Sequence, residues 1–306
     1  MSNLSNQTEL SCQFENAACD AIELVIKPHE KDLGGFCVRR LLPNALLKSV
    51  GPWIFFDHMG PATFAAGDEF KVRPHPHIGI ATVTYLFEGE IVHRDSLGSH
   101  QTIEPGAINL MVTGSGVVHS ERQTPEQQAQ QRELHGLQLW LALPEQNQDI
   151  SPEFHHYAAS DIPSTKVNGV RVRVLMGEAY ARTSPVKTFS DTLYVEATLS
   201  TGQELELPVS DELAVYVVSG SLLARHTEMK TQSMLVFNTQ NGAVTVKALE
   251  TTQIAILGGQ GLGPRHIEWN FVSTDPAKIE QAKRDWKAER FAKVPGDDSE
   301  FIPLPE

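Results

Sequence analysis

Cysteine is scarce in this sequence: Cys12, Cys19 and Cys37 are the only three in 306 residues. All lie in the first 40 positions, none in a CxxC spacing. That argues against a disulfide scaffold, suits a reducing compartment and leaves Cys12 and Cys19 as thiols of a terminal extension. Positive charge is also short, with 25 Lys and Arg against 38 Asp and Glu and a formal net charge of −13. Phosphate contacts draw on basic surface, so direct nucleic-acid binding is not expected. No apolar run reaches the length of a membrane span, and the opening MSNLSNQTEL has neither the basic nor the apolar region of a signal peptide. A cytoplasmic protein with no membrane association is expected. The rest of the composition is ordinary, 41% hydrophobic and 21% charged, enough for one large domain or two of common size.

Short β-rich runs separated by Gly and Pro turns fill the chain. IATVTYLF, IVHR, AINLMV, VVHSE and LQLWLAL occupy the first half. VRVRVL, DTLYVEATL, LAVYVVSGSL, SMLVFN, AVTVKAL and QIAILGG occupy the second. This pattern predicts an all-β sandwich or closed barrel rather than αβ alternation. LAVYVVSG echoes VTYLFEG, which suggests that one unit occurs twice. Residues 123–135 read as a loop or short exposed helix, and 144–167, with three prolines, as a bridge. Gly258, Gly259, Gly261 and Gly263 open no helix, so a phosphate-binding loop is rejected. Asp275-Pro276 is a helix start. Ile279, Ala282 and Trp286 follow at helical spacing, with Phe291 less in phase. The acidic stretch around Asp297 and Asp298 and the final FIPLPE read as a tail.

Two short motifs carry chemistry. RPHPHIG holds His75 and His77, and GSGVVHSE holds His119 and Glu121. Spacing of i, i+2 on an extended strand puts each pair on one face, so four ligands could converge on one ion. Each pair alone arises often by chance; both in one β-rich segment point to a metal. Imidazole and carboxylate donors suit Fe, Mn, Ni, Co, Cu or Zn and leave open positions for substrate or dioxygen. Pro76 suggests an edge or bulged strand. His93 and His100 are alternative ligands, and Asp57 and His58 candidates for supporting contacts. His135, His155 and His156 read as surface residues. His226 and His266 form no pair, so the second unit reads as metal-free. Phe55, Phe56, Met59, Leu110 and Met111 are candidates for a hydrophobic pocket.

FCVRRLLP, VGPWIFFDHMGPA, RPHPHIGIATVTYLFEGEIVHRDSLG, PGAINLMVTGSGVVHSE and HGLQLWLALP together resemble the pirin family of the cupin superfamily, over roughly residues 20–291. The resemblance implies a bicupin: two cupin-like β-barrel domains packed face to face, with a C-terminal helix. The divisions are a flexible extension (1–20), a metal-binding domain (21–150), a metal-free domain with the terminal helix (151–292) and an acidic tail (293–306). It implies one divalent metal, iron in most descriptions, on His75, His77, His119 and Glu121. Some members resemble quercetin 2,3-dioxygenases, which open the flavonol ring with dioxygen and release carbon monoxide. The expected activity is cleavage of a flavonol-like aromatic enol by a monomer, with Glu121 also as catalytic base. The alternative is a metal- or redox-sensing protein that regulates a protein partner. Members commonly continue the His pair with Arg-Gly-Phe-Glu. Here Ile78-Gly79-Ile80-Ala81 stands instead, so an acid expected beside the metal is replaced by Ala81.

Overall fold

The computed structural model describes residues 22–32, 36–224, 226–239 and 242–305. The extension 1–20, with Cys12 and Cys19, lies outside the described residues; Cys37 is an exposed free thiol. The strands of the first half are β1 (Ile22–Ile26), β2 (His29–Asp32), β3 (Cys37–Leu42), β4 (Trp53–Phe64), β5 (Val72–His77), β6 (Ile80–Glu88), β7 (Ile91–Asp95), β8 (His100–Ile103), β9 (Ile108–Val112) and β10 (Val117–Arg122), then β11 (Arg132–Ala142) and β12 (Glu153–Tyr157). One short helix, α1 (Pro125–Gln128), precedes β11. It is closed by a Thr124 capping box, in which the Thr124 hydroxyl accepts from the Gln127 amide and the Gln127 side chain accepts from the Thr124 amide. The Gln-rich stretch thus holds one helical turn and the start of β11, and the Pro-containing bridge contributes β12.

Each half is a pair of antiparallel sheets. In the first, β12-β9-β6-β11-β4-β3-β2 form a seven-stranded sheet and β5-β10-β7-β8 a four-stranded one. The second repeats this with seven strands, the first of which is β1, paired with Met234–Phe237, and four further strands between Glu204 and Ala248. The duplication suggested by the sequence is therefore present, with β1 exchanged onto the later half. Closed barrels are not. In the first half the outermost strands β12 and β2 do not pair with each other, and the two sheets share no ladder. The sheets are open, and side-chain packing rather than continuous hydrogen bonding holds them together.

The alternation of residues along the strands decides what each face meets. Ala81, Val83 and Tyr85 of β6, with Leu137, Leu139 and Leu141 of β11, pack against Tyr194, Ala214, Tyr216 and Leu257 of the second half. This inter-sheet layer is a continuous core and fixes the two halves face to face. The interior of the second half is filled with aliphatic side chains, among them Val195, Leu205, Val215, Val217 and Ile254. The interior of the first half is apolar around Met59, Phe64, Leu86 and Ile103 and again around Phe55 and Trp140, and it holds polar groups beside them.

Helix α2 (Pro276–Lys287) starts at Asp275, whose carboxylate accepts from the Ala277 amide at 2.8 Å. It buries Ile279, Ala282 and Trp286 against Ile78, Val118 and Phe271, on the outer face of the four-stranded sheet. At Gly79 (φ 73°) a Cβ would run into the Val272 carbonyl. Only glycine lets the Phe271–Ser273 strand approach so closely beside the His pair.

Ala81 is fully buried in the inter-sheet layer. A carboxyl there would meet aliphatic neighbours on both strands that flank it, Leu141 and Val112. Ala81→Glu should lower the unfolding free energy by about 3 kcal/mol, read from urea unfolding, with bound metal per folded chain unchanged. Unaltered stability would place this side chain outside the core.

Candidate metal centre

Strands β5 and β10 pair antiparallel, with Val117 opposite His77 and His119 opposite His75. The register then shifts, so that Glu121 faces Val72 rather than residue 73. β5 is an edge strand, as Pro76 suggests, and the irregularity falls at Arg73 and Pro74. Val72, His75 and His77 are consequently on the inner side together, with His119 and Glu121 across from them.

The three imidazoles form a compact cluster. One ring nitrogen from each of His75, His77 and His119 lies within 4.8 Å of the others. Ring centroids are 4.4 to 5.1 Å apart. The Nδ1–H of His75 donates to the Arg73 carbonyl at 2.9 Å, which leaves its Nε2 as the lone-pair donor. Both ring nitrogens of His119 and Nδ1 of His77 are buried with no hydrogen-bond partner. Unpaired buried polar atoms are costly, and a cation that takes the one lone pair each neutral ring offers removes that part of the penalty. The donor set therefore fits a divalent metal. Among the described residues this is the sole cluster of its kind.

Electrostatics agree with that role. Burial pulls the His75 imidazole down to about 4 and holds His77 and His119 well below the ordinary histidine range. All three are neutral ligands at neutral pH. Burial pushes the Glu121 carboxyl up to about 7. Glu121 lines the same cavity but lies outside the 4.8 Å cluster.

The cavity measures about 480 Å³. Its walls come from alternate residues of the seven-stranded sheet: Arg40, Phe55, Asp57, Met59, Thr82, Gln138 and Trp140. Phe55 and Trp140 stack at 4.0 Å with planes 10° apart, Trp140 meets His77 edge-on at 4.9 Å, and the Arg40 guanidinium lies 4.4 Å above Phe55. Arg40 forks onto Asp57 at 2.8 and 2.7 Å. Further lining comes from Phe36, Val38, Trp269, Asn270, Ile302 and Pro305.

Several expected residues lie elsewhere. Phe56 packs on Tyr216, and Leu110 belongs to the inter-sheet core; Met111 is buried away from the cavity. His58 faces the second half, with Nδ1 2.7 Å from the Tyr216 hydroxyl and Nε2 2.8 Å from His135, which is half-buried rather than a surface residue. Asp57 does line the cavity. Ala81 does not: β6 turns Thr82 inward and Ala81 to the inter-sheet core, so an acid at 81 would not touch this cavity. His93 pairs with Asp95 at 3.0 Å and stacks on Phe154, 5.3 Å from the His119 ring, behind the cluster. His100 is exposed and donates nothing to the site, while His155 and His156 are partly buried against Glu153 and Asn109. Arg40, Thr82, Gln138 and Trp140 went unnoticed in the sequence, although Gln138 and Trp140 share one face of an alternating strand.

Residues 35–141 match the family model described as Pirin and residues 194–292 that of the Pirin C-terminal cupin domain. A pirin-like protein of Caulobacter vibrioides is 45% identical, over 93% of this chain and 100% of its own. A crystal structure of a quercetin 2,3-dioxygenase from Acinetobacter baumannii superposes with a TM-score of 0.87 at 30% identity, covering 94% of this chain and 96% of the other. A second structure so described from that organism gives 0.82 at 27%, covering 88% and 97%.

The buried imidazoles make the metal-free protein sensitive to acid. Their pKa values are lower in the folded than in the unfolded chain, so the unfolded state binds more protons between pH 6.5 and about 4. Stability of the chelator-treated protein should fall across that window, by about 1 kcal/mol per pH unit for each fully buried imidazole. The raised Glu121 acts oppositely, losing stability as pH rises from 4.5 to about 7. Urea midpoints measured from pH 7 to 4 check the sum. A midpoint that rises on acidification would contradict burial of neutral imidazoles.

Proposed function

The chain belongs to the pirin family, and from that membership and the cavity geometry we propose a metal-dependent dioxygenase that cleaves a flavonol-like aromatic enol. One observation carries the reading: three neutral imidazoles open onto an aromatic-walled cavity of about 480 Å³. That volume is in the range of small-molecule sites. The similarity to the Acinetobacter quercetin 2,3-dioxygenases supports the substrate class. In this proposal the chemistry sits within residues 21–150, apart from β1, and residues 151–292 form a metal-free companion that also lends β12 to the first half's sheet and Trp269 and Asn270 to the cavity wall.

His75, His77 and His119 would hold the ion, with Glu121 as the fourth ligand, and we take the ion to be iron. When bound, such an ion supplies Lewis acidity that lowers the pKa of an enol hydroxyl and a centre for dioxygen activation. The chain's own residues do the rest. The Phe55–Trp140 pair offers a flat face on which a planar ring stacks. Arg40, held by Asp57 and by the Phe55 face, fixes that wall. The Glu121 carboxylate lines the same cavity and is the chain's own group placed to accept the enol proton.

Oxygen uptake by metal-loaded protein, with quercetin added and withheld, tests the proposal. Quercetin-dependent uptake is expected, and Glu121→Gln should lower kcat by about 100-fold or more. His75→Ala with His119→Ala should abolish metal binding. Full metal occupancy without uptake across a panel of flavonols and catechols would sink the enzyme reading and favour a metal-sensing regulator of a protein partner.

A further inference from the structure

Residues 297–305 do not behave as the loose acidic tail their composition suggests. The Asp297 carboxylate receives a fork from Arg122 at 2.8 and 2.7 Å and the Ser120 hydroxyl at 2.7 Å. Both donors are on β10, and they flank Glu121. Glu300 adds a second contact to Arg122 at 3.1 Å. Farther on, the Ile302 amide donates to the Pro74 carbonyl at 2.9 Å, one residue before His75. The Ile302 carbonyl accepts from the Trp286 indole at 3.0 Å. The segment is therefore pinned at three places to the strands and helix that frame the metal cluster. Ile302 and Pro305 then face the cavity itself.

Most of the cavity wall is built on strands whose ladders hold it rigid. Residues 301–305 belong to no strand or helix, and side-chain contacts with few backbone bonds hold them. Such a wall opens at lower free energy than the sheet. The Arg122–Asp297 pair is mostly shielded from solvent, with side-chain exposures of 16% and 9%, so its geometry is bidentate and specific rather than a screened surface contact.

We propose that residues 297–305 form a clamped outer wall of the metal cavity, on which Ile302 and Pro305 set the size of the aromatic ligand admitted and the Asp297–Arg122 pair holds the wall shut. The proposal rests on the metal-centre reading, but its test does not need turnover. Zinc-loaded full-length protein is mixed with the planar chelator 4-(2-pyridylazo)resorcinol, and zinc transfer is followed by absorbance. Asp297→Ala and Ile302→Ala should speed transfer by about tenfold, and Ile302→Trp should slow it by a similar factor. Circular dichroism and zinc content before mixing establish that each variant is folded and loaded, and Asp297→Asn replaces Asp297→Ala should the latter not fold. In parallel, quenching of tryptophan fluorescence by quercetin and by its bulkier 7-O-glucoside reports ligand size. Ile302→Ala should strengthen binding of the glucoside relative to quercetin. Altered transfer rates without quercetin binding would keep the wall and overturn the flavonol reading. Equal transfer rates in folded, loaded variants would overturn the wall, and a parent protein that takes up no zinc would overturn both.

Discussion

The antiparallel pairing that sets His119 opposite His75 is the constraint on which the site depends. Side chains alternate strictly along a strand, so a slip of one residue in this register would turn the cluster outward toward α2. The register is secured from both sides. Ile78 and Val118 bury their side chains under the terminal helix, while the histidines fill the interior. The irregularity at Arg73 and Pro74 then adds a residue on β5, which brings Val72 to the inner side opposite Glu121. Packing on the outer face and coordination chemistry on the inner face thus select the same alignment.

The second half of the molecule contributes by what it covers. Its seven-stranded sheet takes up the outer face of the first half's large sheet, so that most residues of β6 and β11 are committed to one of two buried environments. Where the second half fills its own interior with valine, leucine and isoleucine, the first half has imidazoles, a carboxylate and aromatic rings. One architecture thereby gives a solid core in one copy and a lined cavity in the other. The positions of Phe55 and Trp140 follow from this division, because their strand neighbours Phe56 and Leu139 are held in the inter-sheet layer. A single sheet supports both the union of the halves and the aromatic wall.

Much of this was legible in the sequence. The i, i+2 spacing of His75 with His77 and of His119 with Glu121 put each pair of candidate ligands on one face, and the turn residues marked most strands. Other features were illegible for physical reasons. When both faces of a sheet are buried, apolar alternation no longer says which face is inner, so Phe56, Leu110 and Met111 could not be separated from Phe55 and Met59. The expectation of an acid beside the metal at 81 came instead from the family pattern after the His pair, which does not say that β6 turns Ala81 to the inter-sheet core. Whether sheets close into barrels depends on strand edges that no local pattern records. The role of Asp297 was hidden because its partner Arg122 lies 175 residues away, and an acidic run without a visible partner reads as solvated.

The central claim is that one metal ion is held between β5 and β10. The most direct measurement is anomalous diffraction from crystals of the metal-loaded protein, recorded on either side of the metal absorption edge. One peak per chain, about 2.1 Å from nitrogen atoms of His75, His77 and His119 and within reach of Glu121, is the predicted result. A peak on other residues, or none in protein that binds metal in solution, would contradict it.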